Sequence, residues 1–128
     1  LALIIPVLLV MLAGVIDIGR YFMCYMELRD AAQEGANYAS IDPTNETTIK
    51  NHVKSLSTYP IDLANDTDVT VDYAPHKQMC NSVDTITSVT ITVNYNFKVS
   101  APFIGVFFKD QTIKMSATAT GKALEASC

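Results

Sequence analysis

The first sixteen positions, Leu1 to Ile16, carry no charged residue and no polar side chain. As a helix this run would extend about 24 Å, slightly short of a bilayer core of about 30 Å. Ile18, Tyr21 and Phe22 prolong the apolar surface and place aromatic rings where an interfacial belt would sit. The pattern then turns amphipathic without stopping. Ile18, Phe22, Tyr25, Ala32, Ala36 and Ala39 recur at helical spacing, with Arg29, Asp30, Gln33 and Glu34 mostly on other faces. Ala31, Ala32, Gly35, Ala36 and Ala39 form a small-residue surface that lets another element approach the backbone closely. Ser40-Ile41-Asp42-Pro43 should end the helix, because the residue before a proline is pushed out of helical geometry. A helix of about forty residues is about 60 Å long. That exceeds what the core of a 14.0 kDa globule can cover, so part of it must find partners elsewhere.

Downstream, Thr44 to Ser57 reads as a short helix with Ile49, Val53 and Leu56 on one face. Tyr59-Pro60 follows it, and Ala64-Asn65-Asp66 reads as a turn. From Val69 the period becomes two, with Val69, Val71 and Tyr73 alternating against Thr70 and Asp72. Val89, Ile91, Val93, Tyr95, Phe97 and Val99 oppose Thr90, Thr92, Asn94, Asn96 and Lys98 in a strand that is apolar on one side only. Ile113, Met115, Ala117 and Ala119 alternate in the same way. The apolar connection Ala101 to Phe108 is expected to be buried, under the sheet or against a neighbouring subunit. The predicted class is α+β. A long N-terminal hydrophobic helix and a short second helix accompany a three- to four-stranded antiparallel sheet, packed on the C-terminal half of the long helix.

Composition narrows the function. A chain of 128 residues has room for one domain. Its formal charge of −4 offers no basic stripe for nucleic acid and no polybasic patch for anionic lipid. Cysteines stand at 24, 80 and 128. A bridge between Cys80 and Cys128 would suit an oxidising compartment and tie down the C-terminus, with roughly 3–4 kcal/mol from closing so long a loop. The other reading is three free thiols in a reducing cell. Cys24 reads as a small buried hydrophobe. The apolar run could also be a signal peptide, but no basic region precedes it and no small-x-small site closes it. It is read as a retained segment.

Ala2-Leu3-Ile4-Ile5-Pro6-Val7-Leu8-Leu9, followed by Gly14-Val15-Ile16-Asp17-Ile18-Gly19-Arg20, resembles the TadE-like pseudopilins, relatives of type IV pilins associated with tight-adherence pili. Ala31-Ala32-Gln33-Glu34-Gly35-Ala36-Asn37-Tyr38-Ala39 is similar to that family's Ala/Gly-rich helix end, and Ser116-Ala117-Thr118-Ala119-Thr120 to its tail. The likeness runs nearly the full length, in residues at the N-terminus and in pattern across the strands. It implies a structural subunit that polymerises through its N-terminal helix into an extracellular filament for surface attachment. Residues 1–22 would form the membrane and filament-core segment, and 23–128 the extracellular head, including the helix to about 40. Implied partners are identical subunits, the membrane before assembly and a pilus assembly machinery, without nucleic acid or a small-molecule substrate. Two other readings stay open: a minor pseudopilin that primes a fibre of another subunit, and a single-span anchored binding domain that never polymerises. The family's acidic residue stands just before the position matching Leu1, ahead of the first residue of this sequence, so its role is not carried over.

The residues expected to carry assembly are Leu1, Pro6, Gly14, Asp17, Gly19, Arg20 and Phe22. Asp17 and Arg20 are the only charges before Glu27. They read either as a local i,i+3 ion pair, worth a few tenths of a kcal/mol, or as an intersubunit contact. Pro6 either kinks the helix or sits harmlessly in its first turn. Gly14 and Gly19 suit close helix packing. Asn45-Glu46-Thr47 and Asn65-Asp66-Thr67 fit the acceptor pattern for N-linked sugar, although Asn45 also reads as a helix cap. Asn65-Asp66-Thr67-Asp68 lacks the glycine and distal glutamate of a calcium loop. His52 and His76 stand alone in the sequence, and no nucleophile–base pair or phosphate loop is visible. Neither enzymatic activity nor a cofactor is expected.

Overall fold

A computed structural model describes residues 1–76, 85–99, 109 and 111–124. The first helix, α1, runs Ile4–Ile41, and α2 runs Glu46–Ser55. Strands β1 (Thr67–His76), β2 (Thr85–Lys98) and β3 (Thr112–Lys122) form an antiparallel sheet in the order β1-β2-β3. Helix α1 lies over β2 and β3, while α2 bridges α1 and β1. The α+β architecture is as the residue pattern predicts, with three strands. The Ala101–Phe108 connection and the proposed Cys80–Cys128 bridge lie outside the described residues.

Helix α1 has 38 residues and is therefore about 57 Å long. Its last helical residue is Ile41, and the Asp42 amide closes the final turn by donating to the Tyr38 carbonyl at 3.2 Å. Helix α2 starts where Asn45 Oδ1 accepts the Thr48 amide at 3.1 Å, so Asn45 is its N-cap. It is shorter than its sequence pattern suggests, ending at Ser55. The chain then turns at Asp62. The Asp66 amide donates to the Asp62 carbonyl at 2.8 Å, while the Asp62 carboxylate takes the Ala64 amide at 3.0 Å and Asn65 Nδ2 at 2.7 Å.

The strand alternation translates directly into two faces. Val89, Ile91, Val93, Phe97 and Val99 are buried in the core between sheet and helices, together with Val69, Met115 and Ala117. On the opposite face threonines pair across strands, Thr90 with Thr120 at 3.0 Å and Thr92 with Thr118 at 3.2 Å. From α1 the core receives Cys24, Leu28, Ala31, Ala32, Ala36 and Ala39, and from α2 Ile49 and Val53. Ile61 and Leu63 close it from the loop after α2.

The small residues set the helix–sheet distance. A β-carbon on Gly35 would lie 2.5 Å from Val53 Cγ2 and 3.2 Å from Ile91 Cγ2. One on Gly121 of β3 would collide with the backbone carbonyl of Ala36 and approach Ser40 Oγ to 2.5 Å. The sheet edge is thus laid on helix backbone, and the Leu124 amide extends the seam by donating to the Ser40 carbonyl at 3.0 Å.

Candidate functional site

The buried residues of α1 are Asp17, Cys24, Leu28, Ala31, Ala32, Gly35, Ala36 and Ala39, most of them three or four positions from the next and so on one side of the helix. Successive members stand one above another on a helix, and the sheet covers them. Tyr21 is partly exposed but meets the Phe97 ring edge-on, with centroids 5.6 Å apart at 88°. Ile18, Phe22 and Tyr25, which share a helical spacing with Ala32, lie outside the cover and are exposed. The head-facing stripe is therefore rotated away from them, onto Asp17.

Below this cover the helix is bare. Leu3, Ile4, Ile5, Val7, Leu8, Leu9, Met11, Val15 and Ile16 are all exposed, and Leu1 is 97% so. This is the one helix among the described residues long and apolar enough to cross a membrane. Pro6 falls in the first turn of α1, where a proline is tolerated. It shares a shallow apolar hollow with Val7, Val10 and Met11. Around Gly14 and Gly19 an added β-carbon would meet nothing within 4 Å among the described residues. Phe22 is 61% exposed.

Where the bare segment meets the sheet, a cleft of about 390 Å³ opens, lined by Gly14, Asp17, Ile18, Tyr21, Phe97, Val99 and Ile113. All but Asp17 present mainly apolar surface. The Asp17 side chain is only 8% exposed, and its Oδ1 lies 3.3 Å from Arg20 Nη1. That is the expected i,i+3 pair, but longer than the 2.7–2.9 Å typical of charge-assisted bonds. Among the described residues Asp17 Oδ2 is buried without a hydrogen-bond partner. A buried acceptor left so costs about 1–3 kcal/mol, more when charged. Arg20 is half exposed, and its guanidinium carbon stands 5.6 Å from the Phe97 ring centroid.

Residues 1–37 match the family model described as TadE-like protein. The match takes in the bare segment and most of the covered stripe, consistent with a TadE-like, pilin-related protein. It stops within α1, so α2 and the three strands lie beyond it. No curated protein and no solved structure matches the chain. The TadE-like match together with the apolar N-terminal helix fits a pilus-related subunit with a membrane anchor.

The remaining singled-out residues lie away from the cleft. Asn45 and Asn65 are exposed, but Asn45 caps α2, Asn65 holds Asp62, and the Thr67 hydroxyl of the second sequon donates to the Leu63 carbonyl at 2.6 Å. His52, solitary in sequence, stacks on Tyr38 at 4.3 Å, and its Nε2 lies 3.7 Å from Glu34 Oε1. The ring stacking joins α2 to α1, while Nε2 has no hydrogen-bond partner among the described residues. Cys24 is a free, buried thiol. No group of three metal-ligating side chains occurs among the described residues. Sequence reasoning missed Phe97, Val99 and Ile113 as cleft walls. Only the tertiary fold brings them to Asp17, although the heptad-like spacing from Asp17 to Gly35 was there to read.

Proposed function

We propose that this chain is a structural pilin-type subunit that polymerises through the exposed half of α1 into an extracellular filament carrying the α2 and sheet head on its outside. The observation that carries this reading is the bare apolar segment, whose large side chains up to Ile16 are exposed among the described residues. In this account the segment sits in the bilayer before assembly and packs against equivalent segments afterwards. Residues 1–22 are the assembling part, and 23–128 form the head with the continuing helix as its spine. Exchanging lipid for protein leaves the hydrophobic term nearly unchanged, so close packing at Gly14 and Gly19 must favour the fibre. A repeated heterologous contact that does not close generates a filament. Surface attachment is the use the TadE-like likeness suggests, with no enzymatic step and no cofactor.

Negative-stain microscopy of sheared surface material, with gel analysis of the same fraction, tests the reading. Long fibres with this chain as the major band are expected. Trace presence in fibres of another subunit would make it a priming pseudopilin, and retention in the membrane fraction a non-polymerising anchored domain.

A further inference from the structure

We propose that the cleft at the junction of bare helix and sheet is a socket for a second copy of this chain, and that Asp17 sets the register by taking the Arg20 guanidinium of that copy. The inference rests on assembly through α1 and names the contact that would align it. The cleft walls Gly14, Ile18, Tyr21, Phe97, Val99 and Ile113 call for an apolar occupant. The Asp17 carboxylate, nine-tenths buried with Oδ2 unpartnered among the described residues, calls for a hydrogen-bond donor or cation on that occupant. A lipid tail meets the first demand and fails the second. A soluble metal ion finds no further ligands there among the described residues. A neighbouring α1 meets both: around Arg20 it carries Ile18, Tyr21 and Phe22, and Arg20 supplies the cation.

That guanidinium is half exposed, and with five N–H donors it can serve a second carboxylate while keeping the contact to its own. Asp17 and Arg20 are three positions apart, so a parallel neighbour displaced by about 4.5 Å along the axis brings one copy's cation to the other's carboxylate. Each copy then offers one half of the contact at either side, and the contact repeats without closing. Gly14 lines the cleft without a side chain, and a β-carbon there would meet nothing within 4 Å among the described residues.

The test uses two epitope-tagged full-length chains produced together in membranes, with co-purification through one tag as readout. Parent chains should co-purify. D17K alone and R20E alone each set like charges against each other across the contact and should lose self-association at least ten-fold. Mixing the D17K chain with the R20E chain restores opposite charges between copies and should recover association. Gly14→Leu, a good helix former in open space, should leave the circular dichroism spectrum unchanged and reduce association by filling the socket. Failure of the mixture to recover, or a Gly14→Leu chain that associates like the parent, would overturn the socket while leaving assembly through α1 intact. Parent chains that do not co-purify would instead remove the assembly reading itself.

Discussion

Gly121→Ala should destabilise the head although it adds only one methyl group. The new β-carbon would run into the Ala36 carbonyl oxygen and come within 2.5 Å of Ser40 Oγ and 3.0 Å of the Ala36 carbonyl carbon. These atoms cannot simply rotate away. The Ala36 carbonyl also accepts the Ser40 hydroxyl at 2.8 Å, so moving β3 outward loosens both the helix seam and the ladder to β2. Overpacking of this kind costs about 1–3 kcal/mol. Alanine's smaller freedom in the unfolded chain returns about 0.4–1 kcal/mol. The net loss of about 1–2 kcal/mol corresponds to a midpoint lowered by roughly 4–12 °C. Gly35→Ala is the informative contrast, because its β-carbon would meet only side-chain ends, Val53 Cγ2 at 2.5 Å and Ile91 Cγ2 at 3.2 Å. Both partners are β-branched and fully buried, so this contact also overpacks, but it meets no backbone atom, and alanine recovers about 0.8–1.0 kcal/mol of helix propensity over glycine. Gly35→Ala should therefore destabilise less than Gly121→Ala. Thermal and urea unfolding of the purified chain in detergent, followed by far-UV circular dichroism, measures both. A Gly121→Ala chain as stable as the parent, or less affected than Gly35→Ala, would refute the claim that β3 rests on helix backbone.

Other consequences follow from single residues. Leu28→Ala empties a fully buried position at the centre of the helix–sheet contact and should cost about 2–5 kcal/mol in the same unfolding assay. Asn45→Ala removes the α2 cap and should cost about 0.5–2 kcal/mol, seen as faster amide exchange across Glu46–Ser55 with the sheet amides unchanged. The Asn65 amide first, and then the Ala64 and Asn65 backbone amides, hold the Asp62 carboxyl below its ordinary range. A depressed folded-state value means that this support for the turn is complete above the ordinary carboxylate range and is lost as pH falls through the folded value. Carbon-detected titration of Asp62 should therefore move upward in Asn65→Ala, and an unmoved titration would contradict the assignment.

The strands were legible because alternation on a one-sided sheet leaves little choice of face: Val89, Ile91, Val93, Phe97 and Val99 are buried as the pattern requires. The long helix was equally plain, since its apolar run continues into an Ala/Gly stretch without a breaker before Pro43. The orientation of its upper half was harder. Of the stripe Ile18, Phe22, Tyr25, Ala32, Ala36 and Ala39, the three alanines are buried and the three large side chains are exposed, and the covered face also takes in Asp17, Cys24, Leu28, Ala31 and Gly35. Small residues permit closer backbone approach than large ones, so the Ala/Gly part holds the sheet while the large side chains remain for other partners. Gly121 offered no local signal, because its meaning depends on Ala36, eighty-five positions earlier in the chain. The i,i+3 spacing of Asp17 and Arg20 was visible, but the cleft that Asp17 shares with Phe97, Val99 and Ile113 forms only in the tertiary fold.

Helical reconstruction of sheared fibres by electron cryomicroscopy addresses the central claim most directly. The account predicts a core of parallel α1 segments packed through Leu1 to Phe22, with the three-stranded sheets outside and Asp17 of each copy facing Arg20 of the next. Fibres whose repeating unit is another chain, or a core in which these segments do not touch, would contradict it.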